Sequence, residues 1–442
     1  MGLTRRDVLG VGVSAAAAAL SGCGGGPPVA SATSAPTEGS PTPSPGSATP
    51  TPGRTAATGG ATPYPGLVPT IERYLRPTRD NPDHPTYAGA VALVTVDGRT
   101  TARVAVGDAL RYGAGPVELP AGKRVRMRPD SVFDLASITK VYTTLLVLQQ
   151  VDRGAIDLSA PVREYLPEFT GAGKETITVS MLLTHTSGLP IGPKVSGLPD
   201  AAARRAAVLG TGLATGAAPG AAFRYSSVGM IVLGYLVEKV TGQALDGALR
   251  ANLTGPLGLR DTGFRPLTWL GRADRSARLV ATDARSSRGV LRGVVHDQVA
   301  DALGGVAGHA GIFSTAADLA VIGNLLLGGG THKGKRILAE ATVRRMLTNA
   351  NAGLPAIDAE RPGRTSTHGL GVELDQPWFM GRLATARTFG HTGFTGTSLL
   401  VHPERRLVLV LLTNRAHPNW SWADPDPARA AVANVLAAAI TR

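Results

Sequence analysis

Cysteine is almost missing from this chain of 442 residues, occurring once, as Cys23. No internal disulfide can form, so the fold must rest on its core. Aromatic residues make up only 5% and charged residues only 17% of the chain. The formal net charge of +13 raises the question of nucleic acid, but the lysines and arginines are scattered. Their runs are no longer than pairs such as Arg204-Arg205 and Arg405-Arg406. No aromatic–basic platform accompanies them, which excludes a nucleic-acid partner. A solvated basic surface suited to an anionic cell envelope accounts for the charge.

What is present is aliphatic residue, glycine and proline. Hydrophobic residues reach 43%, enough for a globular core of one large or two medium domains. The 56 glycines and 32 prolines point to linker in part of the chain.

Residues 1–23 read as an address rather than structure. Thr4-Arg5-Arg6-Asp7-Val8-Leu9 resembles a twin-arginine export motif, and Val11 to Leu20 is an apolar run too short and too rich in Ala and Gly to span a membrane. Leu20-Ser21-Gly22-Cys23 matches the bacterial lipobox, in which the cysteine is lipidated and becomes the mature N-terminus. The only cysteine of the chain falls at the one position the motif needs. Residues 24–63 are Gly, Pro, Ser, Thr and Ala with almost no bulky apolar side chain. Such a segment cannot bury enough surface to offset its ordering entropy, so it reads as a disordered tether.

A folded domain is expected over residues 64–442. Ala88–Val96 and Thr100–Val106 flank Asp97-Gly98, the pattern of a hairpin with a tight turn. From about 154 to 300 the texture changes to short helices and loops. Strands return toward the C-terminus, with Leu407–Thr413 the most apolar, and Asp426-Pro427 suits the cap and first position of a last helix. Strands at both ends with helices between predict an α/β (α+β) fold. Its sheet draws on both termini, and its middle is a helical region.

The stretch Phe133-Asp134-Leu135-Ala136-Ser137-Ile138-Thr139-Lys140 opens an apolar run that stops at Arg153-Gly154. It reads as a buried helix with a glycine stop. On a helix, Ser137 and Lys140 share one face. A serine hydroxyl is a poor nucleophile at neutral pH, and an amine one turn away can activate it. Alone, this short pattern reads more readily as an N-cap serine and a solvated lysine. Tyr225, in Phe223-Arg224-Tyr225-Ser226-Ser227 ahead of a helical run, can transfer protons or can simply pack. His391, in Phe389-Gly390-His391-Thr392-Gly393-Phe394-Thr395-Gly396, sits on a glycine-rich strand that a substrate backbone can approach, or is a surface histidine on an edge. The glycine loop Leu303–Gly311 lacks a following Lys-Ser/Thr, so it is no phosphate loop.

In this order, S-x-x-K, Y-x-x and H-T-G resemble the serine β-lactamase and penicillin-binding protein family. The branch resembled is the class C-like one, with D,D-carboxypeptidases, D-aminopeptidases and esterases. Connecting phrases such as Leu182-Leu183-Thr184-His185-Thr186-Ser187-Gly188-Leu189 and Gly308-His309-Ala310-Gly311-Ile312-Phe313-Ser314 extend the resemblance over residues 85–415. It implies an antiparallel sheet with helices on both faces, an all-helical subdomain, and a site between them. It implies Ser137 as the acylated nucleophile, Lys140 as its activator and Tyr225 as the proton carrier. His391 stands where class C β-lactamases have the lysine of K-T-G. The implied oxyanion hole is the backbone N–H of Ser137 and Phe394, with Ser227, Thr392 and Gly393 meeting the substrate. No metal or cofactor is implied.

Two positions depart from the pattern: Ser227 replaces the Asn of Y-x-N, and His391 replaces lysine. A histidine grips a β-lactam carboxylate less firmly than a lysine does. The resulting expectation is an exported serine hydrolase, bound to the membrane through lipidated Cys23. It acts through an acyl-enzyme on D-amino-acid peptides of peptidoglycan type, related amides or small esters. A non-catalytic envelope-binding lipoprotein of the same fold and a true β-lactamase are the alternatives, and the oligomeric state is left open.

Overall fold

The computed structural model describes residues 62–440 apart from 359–360 and 362–363. The twin-arginine stretch, Cys23 and nearly all of the tether lie outside the described residues. Seven strands are Gly89–Val96 (β1), Arg99–Leu110 (β2), Val125–Arg126 (β3), Glu373–Leu374 (β4), Phe389–Thr392 (β5), Ser398–His402 (β6) and Leu407–Thr413 (β7). They form one antiparallel sheet in the order β4-β5-β6-β7-β1-β2-β3. The two ends of the chain meet where β1 pairs with β7, from Ala90 opposite Thr413 to Val96 opposite Leu407. The hairpin of β1 and β2 turns at Asp97 and Gly98, with φ of 51° and 74°. A two-residue turn with both central residues at positive φ matches the right-handed twist of the strands.

Strands this apolar along their whole length must be covered on both faces, because successive side chains alternate sides. Five helices do most of this: Leu67–Arg73 (α1), Thr139–Asp152 (α2), Ser227–Thr241 (α3), Ala316–Leu327 (α4) and Asp426–Ile440 (α5). Val91, Leu93, Val408, Val410 and Leu412 pack into the larger core with α2, α3 and α4. Ala90, Ala92, Val94, Leu407, Leu409 and Leu411 face the other way, into a second core with α1 and α5. Burying each large aliphatic side chain contributes about 1.5–3 kcal/mol, so both layers are needed to hold the sheet.

Helix α2 is buried from Thr139 to Gln150, which is why its sequence lacks a polar stripe. Past its end, Gly154 takes φ 70°, a left-handed conformation suited to glycine. Between 154 and 300 lie Val179–Leu183, Ala201–Leu209, α3 and several shorter helices, with brief strand pairs among them. One of those strands, Gly263–Phe264, joins Ile312–Ser314 and Phe133–Asp134 in a small three-stranded sheet. That sheet delivers the chain to Ser137.

At the C-terminus the structure corrects one expectation. Asp426 is the first residue of α5 rather than its cap, and Asp424 Oδ1 accepts from the Asp426 N–H at 3.1 Å. The Asp426 carboxylate instead meets Arg429 at 2.6 Å and Arg361 at 3.2 Å. Arg429 is buried, and a buried guanidinium demands a carboxylate more strongly than a helix end does.

Candidate active site

Ser137 is not yet in the α-helix. It lies in a 3₁₀ turn, Ala136–Ile138, immediately before α2. Ala136 takes φ 47°, a left-handed conformation costly for a residue with a Cβ. Asp134 holds it there: its Oδ1 accepts from the Ala136 N–H at 2.8 Å and its Oδ2 from the His296 N–H at 2.7 Å. Burial pushes the Asp134 carboxyl up, against the pull of those two N–H groups.

The three-residue spacing still brings the two side chains together. Lys140 Nζ donates to Ser137 Oγ at 2.9 Å and to the His309 carbonyl oxygen at 3.1 Å. Lys140 is fully buried, and both partners are neutral oxygens. The glycine loop before Ile312 therefore serves as a backbone clamp. Thr143 Oγ1 donates to Gly308 O at 2.8 Å, and a Cβ at Gly308 would collide with the Met230 carbonyl oxygen of α3. The loop was visible in the sequence by its glycines, but nothing in it pointed to Lys140.

Tyr225 precedes α3, whose N-terminus is capped by Ser226: Ser226 Oγ accepts from the Gly229 N–H at 3.2 Å and donates to Pro190 O at 2.7 Å. This fixes where the helix begins and hence where Tyr225 stands. Lys140 Nζ lies 5.0 Å from the centre of the phenol ring, and the Arg364 guanidinium 5.1 Å. Among the described residues the Tyr225 hydroxyl makes no hydrogen bond, so it is free to meet a group entering the cleft. Arg364, which sequence reasoning missed, is itself fixed by Asp358 and Glu373, each at 2.8 Å. Ser227, the first residue of α3, is half-buried, and its N–H donates to Ile191 O at 2.9 Å.

His391 on β5 is 1% exposed, with its ring 6.4 Å from that of Tyr225. Burial first, and the Lys140 ammonium second, push its pKa down to about 3. It is therefore neutral at pH 7. Its Nδ1 lies 2.8 Å from Thr392 O, and since a carbonyl only accepts, Nδ1 carries the proton and Nε2 is left as an acceptor. His185, whose ring centre is 4.6 Å from that of Tyr225, is likewise kept neutral by burial.

Beyond β5 the chain turns through Gly393, Phe394, Thr395 and Gly396. Thr392 is buried and Phe394 exposed. Thr395 Oγ1 donates to Asp134 O at 2.7 Å and Thr397 Oγ1 to Leu135 O at 3.0 Å. Arg429 Nη2 donates to the carbonyl oxygens of Gly393 and Thr397, at 2.7 and 2.9 Å. The turn bearing the Phe394 N–H is thus tied directly to the backbone that leads into Ser137. A buried amine on a serine hydroxyl, a phenol beside that amine and a fixed pair of backbone N–H groups can together perform acyl transfer. Ser137, Lys140, Tyr225 and His391 come together in this way, with the turn through Gly393 and Phe394 fastened beside Ser137, whereas the Ser227 N–H is directed to Ile191 O and Cys23 lies outside the described residues.

A family model described as Beta-lactamase matches residues 71–434. A protein of Escherichia coli (strain K12) named "Putative D-alanyl-D-alanine carboxypeptidase" is 32% identical over 362 residues, covering 75% of this chain and 79% of its own. A Bacillus subtilis (strain 168) protein named "N-acetylmuramyl-L-alanine amidase" is 31% identical over 360 residues, covering 75% and 78%. A penicillin-binding protein homologue from Caulobacter crescentus shares the fold, with a TM-score of 0.62 at 19% identity over 86% of this chain and 99% of its own. Sequence and fold agree over the same residues that carry the serine, the lysine and the tyrosine, and the chain is a serine hydrolase of the Beta-lactamase family, related to the penicillin-binding proteins.

Proposed function

We propose that this hydrolase is exported, is anchored through a lipidated Cys23, and acts through an acyl-enzyme on D-amino-acid peptides of the cell wall, on related amides or on small esters. The observation that carries the mechanism is the 2.9 Å contact between buried Lys140 Nζ and Ser137 Oγ. As Ser137 Oγ bonds to the substrate carbonyl carbon, Lys140, in the form of the enzyme where it has given up its own proton and is a free amine, takes the proton of Ser137. The oxygen, now negative, is met by the N–H groups of Ser137 and Phe394. Tyr225 passes a proton to the departing amine or alcohol, the carbonyl re-forms, and the acyl group stays on Ser137. Water then repeats the sequence and frees the acid. Ser227, Thr392 and Gly393 line the strand and helix start along which the substrate lies.

The names of the relatives support cell-wall peptides and amides as the substrate class. A neutral, buried His391 offers no cation to a β-lactam carboxylate, which favours peptide or ester turnover over antibiotic hydrolysis. The test is labelling with a fluorophosphonate or a fluorescent penicillin, mapping of the labelled residue, and turnover of peptides ending in D-Ala-D-Ala and of nitrophenyl esters. Label on Ser137 with turnover is expected. Label without any turnover supports the envelope-binding lipoprotein instead, and no label on Ser137 removes the mechanism.

A further inference from the structure

Two neighbouring residues, His296 and Asp297, reach both members of the Ser137–Lys140 pair. The His296 N–H donates to Asp134 Oδ2 at 2.7 Å, and Asp134 Oδ1 accepts from the Ala136 N–H, one residue before the nucleophile. The Asp297 carboxylate leads to the other member. Its Oδ1 lies 3.0 Å from Nε2 of His309, whose carbonyl oxygen accepts from Lys140 Nζ at 3.1 Å. One branch therefore ends beside Ser137 and the other on its activating amine.

The second branch runs through a loop that contains Gly304, Gly305, Gly308 and Gly311. Glycine gives up more conformational freedom than other residues when it is fixed, and a carbonyl oxygen can hold an amine in place only if it is itself held. Helix α2 does part of this: Thr143 Oγ1 donates to Gly308 O at 2.8 Å, and the Ile312 N–H donates to Thr139 Oγ1 at 3.1 Å. Between those two bonds Asp297 holds the His309 side chain. The ring is 2% exposed, and its Nδ1 has no hydrogen-bond partner among the described residues. Burial would raise the Asp297 carboxyl, but the His309 ring beside it, the Ala300 N–H and the Lys140 charge hold it well below the usual carboxylate range. An ionised carboxylate only accepts, so His309 Nε2 carries the hydrogen of this bond. The same Asp297 oxygen accepts from the Ala300 N–H at 2.8 Å, capping the short helix Gln298–Ala302. That cap fixes the carboxylate, and the carboxylate fixes the ring.

We propose that Asp297 and His309 are positioning residues for Lys140: their hydrogen bond sets the carbonyl oxygen that holds the amine against Ser137 Oγ. Both act on acylation through Lys140. This rests on the acyl-enzyme reading of Ser137 given above and adds what keeps its activating amine in place.

The test separates the bond to His309 from the helix cap. Asp297→Ser keeps a capping oxygen on a side chain too short to reach His309, whereas Asp297→Asn keeps an oxygen for both. For each variant kcat and KM for a nitrophenyl ester, the rate of fluorophosphonate labelling at Ser137, and Tm are measured. Asp297→Ser should lower kcat and the labelling rate by about 10–10²-fold, as misplacement of a catalytic group does, with KM little changed. Asp297→Asn should keep most of the rate. On a Lys140→Ala background Asp297→Ser should cost little more, because its effect passes through the lysine. Wild-type rates in Asp297→Ser would make Asp297 a helix cap alone and overturn the inference. So would Asp297→Asn as slow as Asp297→Ser, or an equal loss with and without Lys140. Should Asp297→Ser fail to fold, His309→Gln, whose amide can still donate to Asp297, is compared with His309→Leu, which cannot. A faster His309→Gln supports the role, and equal rates overturn it. Labelling of the wild type separates the two levels. A labelled, active wild type with unaffected variants removes only the role of Asp297 and His309, while an unlabelled wild type removes the hydrolytic reading beneath it.

Discussion

The Thr397 hydroxyl donates to the Leu135 carbonyl oxygen across 3.0 Å, fastening the strand-end turn to the backbone two residues before the nucleophile. The neighbouring bond from Thr395 to Asp134 O repeats the fastening. Oxyanion donors stabilise developing charge only if their positions are set beforehand, because a shift of about 1 Å can cost about 10²-fold in rate. These two hydroxyls set those positions.

Gly393 lies inside this fastening. A Cβ there would collide with Thr397 Oγ1 and the Leu135 carbonyl oxygen. Gly393→Ala should therefore lower kcat by about 10²-fold, while overpacking lowers stability by about 1–3 kcal/mol. Steady-state kinetics beside thermal melts checks this, and a variant with wild-type kcat contradicts it.

Ser137, Lys140 and Tyr225 should behave as one unit. Each of Ser137→Ala, Lys140→Ala and Tyr225→Phe should reduce acylation by about 10³-fold or more, and the double variants should lose little beyond the singles. Rates of probe labelling and of ester turnover measure this. Losses that multiply across the double variants would show independent contributions, and full labelling of folded Ser137→Ala would remove the nucleophile.

Arg364 stands between Tyr225 and two carboxylates. Arg364→Ala strips Glu373, 2% exposed, of its guanidinium partner. Breaking a buried pair by removing one member costs about 3–5 kcal/mol, so a large drop in Tm is expected together with a fall in kcat as Tyr225 loses its support. Arg364→Lys should recover part of the Tm. An unchanged melt for Arg364→Ala would show that the pair does not hold this region.

Acid should weaken the fold well above the carboxylate range. Burial pushes His391 and His417 down to about 3 and His368 to about 4, whereas in the unfolded chain each titrates near 6.5. Between those values the unfolded state binds more protons, so stability falls as pH falls through that window and is fully present above it. Tm measured from pH 7 to 5 should decline, and His391→Asn should flatten part of the slope. A melt independent of pH over that interval would contradict the buried neutral state of these rings.

The anchor is a separate matter. Leu20-Ser21-Gly22-Cys23 places the one cysteine where the proposed lipid anchor needs it. On that proposal Cys23→Ala should move the protein from the membrane to the soluble fraction of the cells that export it, because the acyl chains that hold it would have no attachment. Wild-type protein that is already soluble after export would dismiss the lipid anchor.

Much of this was legible in the chain itself, and for a physical reason. The D-G hairpin, the stop of α2 at Gly154 and the apolar run of β7 depend on turn chemistry and periodicity, which are local properties. The contact of Ser137 with Lys140 is local too, because three residues along one turn bring the side chains together whether the turn is α or 3₁₀. Only the tertiary structure decided the rest. The second partner of Lys140, His309 O, lies 169 residues away, and Arg364 reaches Tyr225 from a loop between the helical region and the last strands. The neutrality of His391 follows from desolvation and from the Lys140 charge. Neither belongs to the histidine itself: both arise only when the chain returns and packs water out of the site.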